Sequence, residues 1–268
     1  LKLHKTLIIY SMYKMEFTYK KYEETLLNAI KENYLITSSQ NFIDLINTKS
    51  MPKKYIVLRH DCERDLYKAY NLAQIEESIG IKSTYFLRTH SEWYNLFQPE
   101  EWKLVLKIIN LGHEIGLHYE PKFYEEINID FIEGLKKDLM ILNQFYPVNS
   151  VSAHQPLLYP PQKEDFTDLK LIDMYTNSNY KNIPYFSDSG MQFREFSLEE
   201  VISNQISCQF LIHPDFWNNK KLDWHTNYSN RVNQVIEKLK SFKKFEEKVY
   251  DDYMRNRKEK DKKFFRKK

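Results

Sequence analysis

The sequence predicts a parallel α/β fold in one domain, closed in the manner of a barrel rather than left as an open sheet. Two observations carry this: short β-branched runs alternate with segments of helical periodicity, and reactive side chains gather directly after those runs, where the loops of a parallel sheet converge. A third observation excludes alternatives. Only 5 of 268 residues are Gly, and neither GxGxxG nor GxxxxGK[ST] occurs, so dinucleotide and nucleoside-triphosphate loops are ruled out.

The elements follow in order. Residues 1–14 begin at Leu1, precede the first coherent pattern and read as an upstream or artefactual extension. From Met15, Tyr19–Asn33 has helical spacing in Tyr22, Leu26, Leu27 and Ile30, and Ser38–Asn47 reads as a second short helix, the two forming a lead-in cap. Tyr55–His60 is a buried strand entered from Pro52, and Leu66–Ile79 is a helix closed by Gly80. A strand over Ser83–Leu87, a helix over Glu100–Leu111 closed by Gly112, and a strand over Glu114–His118 come next. A helix over Ile127–Phe145 leads to a strand over Val148–Ala153. Asp173–Thr176, Tyr185–Ser187 and Cys208–Leu211 are short strands, interleaved with a helix over Glu164–Leu171 and a capping-box start at Ser197–Glu200. Asp223–Tyr250 is a long amphipathic closing helix, which makes 15–250 one domain and 251–268 a basic tail.

Charge and cysteine usage narrow the function classes. The 40 Lys+Arg against 37 Asp+Glu leave +3, too little to imply nucleic acid, and the excess is local: residues 240–268 hold 13 basic and 6 acidic side chains, a net +7. Cys62 and Cys208 form no disulfide framework and no CxxC spacing, which fits a reducing compartment. No apolar run approaches the ~20 residues that span a bilayer. The expected location is cytoplasmic, with no transmembrane segment; oligomeric state is not legible.

Strand ends hold the chemistry. The first main strand ends in Arg59-His-Asp-Cys-Glu63, the third in His118-Tyr-Glu120, the fourth in Ala153-His-Gln-Pro156 and the last in Leu211-Ile-His-Pro-Asp215. Each alone fits a bland reading, a hydrogen-bonded loop His or a helix cap at Asp61. Together they suit metal-assisted hydrolysis. Asp61 and Glu63 are two apart, as are His118 and Glu120, and in extended backbone such pairs project to one side. One imidazole and up to three carboxylates then meet, a donor set for Zn2+ or a similar divalent ion, with a carboxylate as base and His213 as acid. No GxSxG elbow exists, which disfavours a serine nucleophile.

At these residues the chain resembles the polysaccharide deacetylase family, the NodB-homology or carbohydrate esterase family 4 group. Gly112-His-Glu-Ile-Gly-Leu-His118 is similar to the family's GHEIGNH segment, and Lys82-Ser-Thr-Tyr-Phe-Leu87 to its KATFF strand. Leu58-Arg-His-Asp-Cys-Glu63 stands in the place of TFDDG, in the style of the RHDVD variant of surface-polysaccharide gene clusters, and Leu211-Ile-His-Pro214 resembles the closing motif. The landmarks span Tyr55–Trp217, 163 residues. The resemblance implies a distorted (β/α) barrel of about seven strands, of glycoside hydrolase/deacetylase type, a divalent metal such as Zn2+, and removal of an N- or O-acetyl group from a sugar or glycan. It assigns Asp61 as base, His118 as a metal histidine and His213 as acid.

Departures from the family pattern set the open questions. Cys62 occupies the place of the adjacent metal aspartate, with Glu63 one further on, and Lys122 that of the second metal histidine. His154 replaces the arginine that tethers the base, and His113 reads as structural, bonded behind the sheet. The expected site is therefore Asp61 and His213 in catalysis, Glu63, His118 and Glu120 on the metal, and His154 and Asp188 orienting these groups or the substrate. Among Trp93, Trp102, Trp217, Trp224, Tyr119, Tyr159 and Phe216, Trp217 and Tyr119 are the expected sugar contacts. The alternatives are a metal-independent hydrolase of a small C–N substrate and a non-catalytic glycan-binding remnant.

Overall fold

A computed structural model describes residues 16–161, 166 and 168–265. The expected extension over 1–14 lies outside them, as does part of the helix expected over 164–171. The strands are β1 (Leu35–Thr37), β2 (Tyr55–Cys62), β3 (Thr84–Leu87), β4 (Glu114–Tyr119), β5 (Ser150–Ala153), β6 (Ile172–Asp173), β7 (Tyr185–Ser187) and β8 (Cys208–Ile212). The helices are α1 (Tyr19–Lys31), α2 (Ser39–Asn47), α3 (Leu66–Ser78), α4 (Pro99–Asn110), α5 (Pro121–Glu126), α6 (Phe131–Leu142), α7 (Ser178–Lys181), α8 (Leu198–Ser203) and α9 (Trp224–Phe265). The chain divides into two units, Leu1–Trp224 and His225–Lys268.

Every strand pairing is parallel. Seven strands run β6-β5-β4-β3-β2-β8-β7, and β1 pairs with the first residues of β2, below the stretch that pairs with β3. This curled parallel sheet with helices between its strands is the distorted (β/α) barrel the sequence predicts. Parallel strands need helical crossovers, and β2 is an interior strand, bonded on both edges to β3 and β8.

Alternation along β2 separates two environments. Phe42 from α2, Val57, Phe86, Met174 and Tyr180 form one cluster beneath the inward-facing Arg59 and Asp61. Leu58 and Cys62 point the other way, into the clusters that hold the helices on the sheet. Gly116 on β4 belongs to the inner layer: a Cβ there would lie 2.4 Å from the Phe86 ring. The strand needs glycine so that this aromatic can cross it.

Several elements differ from the sequence expectation. The helix expected over Ile127–Phe145 is α6 alone, because Asn128 takes a left-handed φ of 54° and the Asp130 side chain caps the helix start; α5, opened by Pro121, lies ahead of that range and was not expected, nor was α7. Gly134 is where the Tyr124 ring of α5 seats on α6, 2.6 Å from where a Cβ would stand. Three-residue β1 was missed; it is too short to show a period.

Candidate active site

Asp61 stands at the end of β2 and is almost fully buried. Its Oδ2 accepts from Arg59 Nη2 at 3.0 Å, and the same guanidinium donates to Ser152 Oγ at 2.7 Å, Tyr175 Oη at 2.9 Å and, through Nη1, Gln209 Oε1 at 3.2 Å. Burial would raise the Asp61 pKa; Arg59, with His118 and His213 beyond it, holds it below the ordinary aspartate value. The tether therefore comes from β2 itself. His154, expected in that role as the replacement for an arginine on β5, does something else.

Three donor atoms converge beside Asp61. Glu63 Oε1 lies 3.7 Å from His118 Nε2 and 3.4 Å from His154 Nδ1, and the two imidazole nitrogens are 3.2 Å apart. His118 Nε2 is also 3.8 Å from Asp61 Oδ2. Among the described residues this is the one cluster of three or more such side chains whose ligand atoms meet closely enough to share an ion. Bonds of about 2.0–2.2 Å at tetrahedral angles would separate donors by roughly 3.3–3.6 Å, and the observed 3.2, 3.4 and 3.7 Å lie within about 0.1 Å of that range, close enough for a first-row divalent ion.

The ring orientation fits as well. His118 Nδ1 donates to the Ser152 carbonyl at 3.0 Å, since a carbonyl can only accept, and Nε2 is the ring atom turned toward Glu63 and His154. Burial would raise the Glu63 pKa, but the two imidazoles, with His213, hold it well below the ordinary glutamate range. Its other oxygen, Oε2, faces Arg64 at 3.5 Å. Two imidazoles and one ionised carboxylate are a donor set that zinc accepts.

Glu120, expected as a metal ligand, is not part of this group. The backbone leaves the extended conformation at Glu120 (ψ 86°) to enter α5, and the carboxylate pairs with buried Arg88 instead. The rule that i and i+2 share a side holds only while the strand continues.

His213, just after β8, is oriented by Asp188, just after β7. Asp188 Oδ1 accepts from the His213 backbone N–H at 2.9 Å and from its Nδ1 at 2.7 Å, while Oδ2 accepts from Trp217 Nε1 at 3.0 Å. Burial alone would lower the His213 pKa; the bond to Asp188 and the negative charges of Asp188, Glu63 and Asp61 push it up to about 9.

A cleft of about 800 Å3 opens over these groups, lined by Asp61, Glu63, His118 and His213 and walled by Leu157, Tyr185 and Trp224 among others. The expected sugar contacts lie elsewhere. Tyr119 is wholly buried against Phe131 and Phe166, and Trp217 is packed between Phe17 and Tyr22. Neither lines the cleft; Tyr185 and Trp224, 39% and 41% exposed, are its aromatic faces.

Behind the sheet lies a separate polar centre. Glu76 on α3 is fully buried and accepts from His60 (2.7 Å), Ser83 (2.6 Å), Tyr85 (3.0 Å) and Tyr22. His113 Nε2 donates to the Ala73 carbonyl at 3.0 Å, the structural position expected for it. Burial opposes ionisation of Glu76, yet His60 and His113 bring its pKa down to about 2.

No family model matches the chain, and no curated protein matches it. Similar solved structures include a family 4 carbohydrate esterase from Bacillus anthracis, 13% identical over 69% of this chain and 75% of that one, with a TM-score of 0.37. IcaB from Ammonifex degensii is 12% identical over 74% and 84%, with a TM-score of 0.44. A protein from Bordetella bronchiseptica, assigned as a polysaccharide deacetylase involved in O-antigen biosynthesis, is 17% identical over 69% and 80%, with a TM-score of 0.41. Likeness at this level leaves the question of activity to the residues of the chain itself.

Proposed function

We propose that the protein is a metal-dependent hydrolase that removes an acetyl group, N- or O-linked, from a sugar or surface-polysaccharide precursor. The observation that carries this reading is the convergence of Glu63 Oε1, His118 Nε2 and His154 Nδ1 next to an arginine-tethered aspartate, under a cleft that also exposes a charged histidine. A divalent ion held by Glu63, His118 and His154 supplies polarisation of the acyl carbonyl and acidification of water.

The remaining roles belong to the side chains. Asp61, kept ionised by Arg59, accepts a proton from the attacking water. The water oxygen adds to the acyl carbon, the bond to the sugar nitrogen or oxygen breaks, and acetate leaves. His213, protonated at neutral pH and aimed by Asp188, gives its proton to the departing sugar atom. Tyr185 and Trp224 offer the faces on which a sugar ring stacks. Cys62 and Cys208 are buried free thiols, which supports a cytoplasmic setting, and no helix among the described residues is long and apolar enough to cross a membrane.

Elemental analysis of chelator-free protein, together with acetate release from acetylated sugars, tests this reading. One equivalent of zinc or a similar metal with acetate release is the expected result. Metal-free protein that binds glycans and releases nothing would sink it in favour of a binding remnant.

A further inference from the structure

The second unit is one helix, and its apolar residues are ordered. Along α9, Ile236, Leu239, Lys243, Glu246, Tyr250 and Tyr253 recur at alternating intervals of three and four residues, the a/d spacing of a coiled-coil seam. Phe242, Phe245 and Val249 flank it. Seven large apolar side chains on this stretch are exposed, from Ile236 at 42% to Phe245 and Tyr250 at 62%. A helix of this kind gains little from intrinsic propensity alone and takes its stability from covering such a stripe.

The charges on the stripe identify the occupant. Lys243 and Glu246 are the charged positions of that seam; they are opposite in sign and straddle its midpoint, since Ile236 to Tyr253 centres between Lys244 and Phe245. A second copy lying antiparallel about that midpoint faces Ile236 with Tyr253 and Leu239 with Tyr250, and sets Lys243 of one helix beside Glu246 of the other, twice by symmetry. Parallel, in-register pairing would place Glu246 against Glu246 within an apolar seam, where like charges are costly. A lipid surface gains nothing from the carboxylate at the centre of the stripe.

We propose that this stripe is a self-association surface and that α9 pairs antiparallel with α9 of a second copy, holding two hydrolase units in a dimer. The inference is independent of the reaction assigned to the cleft.

Sedimentation of the full-length chain, with charge-swap variants, tests it. The expected result is a dimer, weakened about tenfold or more by Lys243→Glu or Glu246→Lys alone and restored by the two together, since the swap returns the ion pair. Leu239→Asp gives monomer, with part of the α9 helicity lost from the far-ultraviolet spectrum. A monomeric wild-type chain, single swaps without effect, or a double swap no better than the singles would each overturn the proposal. So would a chain that is monomeric in solution and binds vesicles of anionic phospholipid through Leu239, which would make the stripe a membrane surface.

Discussion

Arg59 holds Asp61 from two residues upstream on the same strand, Nη2 to Oδ2 at 3.0 Å, with neither side chain more than 3% exposed. Because strand neighbours at i and i+2 lie on one face, the base and its tether form a unit within β2. Replacing Arg59 with Met leaves a buried carboxylate without its counter-charge, which costs about 3–5 kcal/mol. Urea unfolding should show that loss, and acetate release should fall by about 10²-fold, as expected when a general base loses its ionised state.

Metal content separates His154 from Glu120. His118→Ala, His154→Ala and Glu63→Gln should each abolish stoichiometric metal in elemental analysis, while Glu120→Gln should retain it. Retention in His154→Ala with loss in Glu120→Gln would reverse the assignment made from donor convergence.

The His213 pKa of about 9 fixes an alkaline limit. Raised above the ordinary histidine value of about 6.5, it makes the folded state hold the proton more tightly. The stabilising contribution of the His213–Asp188 pair is therefore complete below pH ~6.5 and is lost as pH rises through about 9. Activity should fall over the same upper range, and in Asp188→Asn that limb should move toward neutral pH. A wild-type pH profile flat to pH ~10 would contradict the assignment of His213 as the acid.

Trp217 acts on His213 through Asp188, so it is a positioning residue. Trp217→Phe keeps an aromatic ring in the core but removes the donor to Asp188 Oδ2. The expected outcome is a fall in kcat of about tenfold with KM unchanged. A raised KM with normal kcat would instead point to contact with the sugar.

Gly134→Ala is a substitution that helix propensity alone would favour. Here the new Cβ would lie 2.6 Å from the Tyr124 ring, whose hydroxyl is bonded to Asp138 at 2.5 Å. The ring cannot withdraw without giving up that bond, so unfolding should show a loss of about 1–3 kcal/mol.

What was legible in the sequence followed from periods and strand ends. The alternation of elements, the parallel order and the positions of Asp61, Glu63, His118, Asp188 and His213 near one cleft could all be read from strands of four residues or more and the polar residues after them. Three things could not. Arg59 looked like strand filler because its role appears only when β5 and β6 bring Ser152 and Tyr175 to it. His154 comes from a different strand end, and only the sheet order puts its ring against His118. Trp217 and Tyr119 looked available because adjacency in sequence to His213 and His118 says nothing about which face a side chain takes.

The alternation of β2 has one more consequence. Arg59 and Asp61 serve the cleft, while His60 reaches the Glu76 centre on the opposite face, so a single backbone ribbon is interleaved with two unrelated polar assemblies. Inserting one residue between Tyr55 and His60 would carry an imidazole into the base position and a carboxylate into the back layer. Sequence drift in this strand is thus confined to whole two-residue steps or to substitutions in place, and the departure at Cys62 fits that constraint: the metal-side carboxylate is found one position further on, at Glu63, while the thiol stays on the packed face.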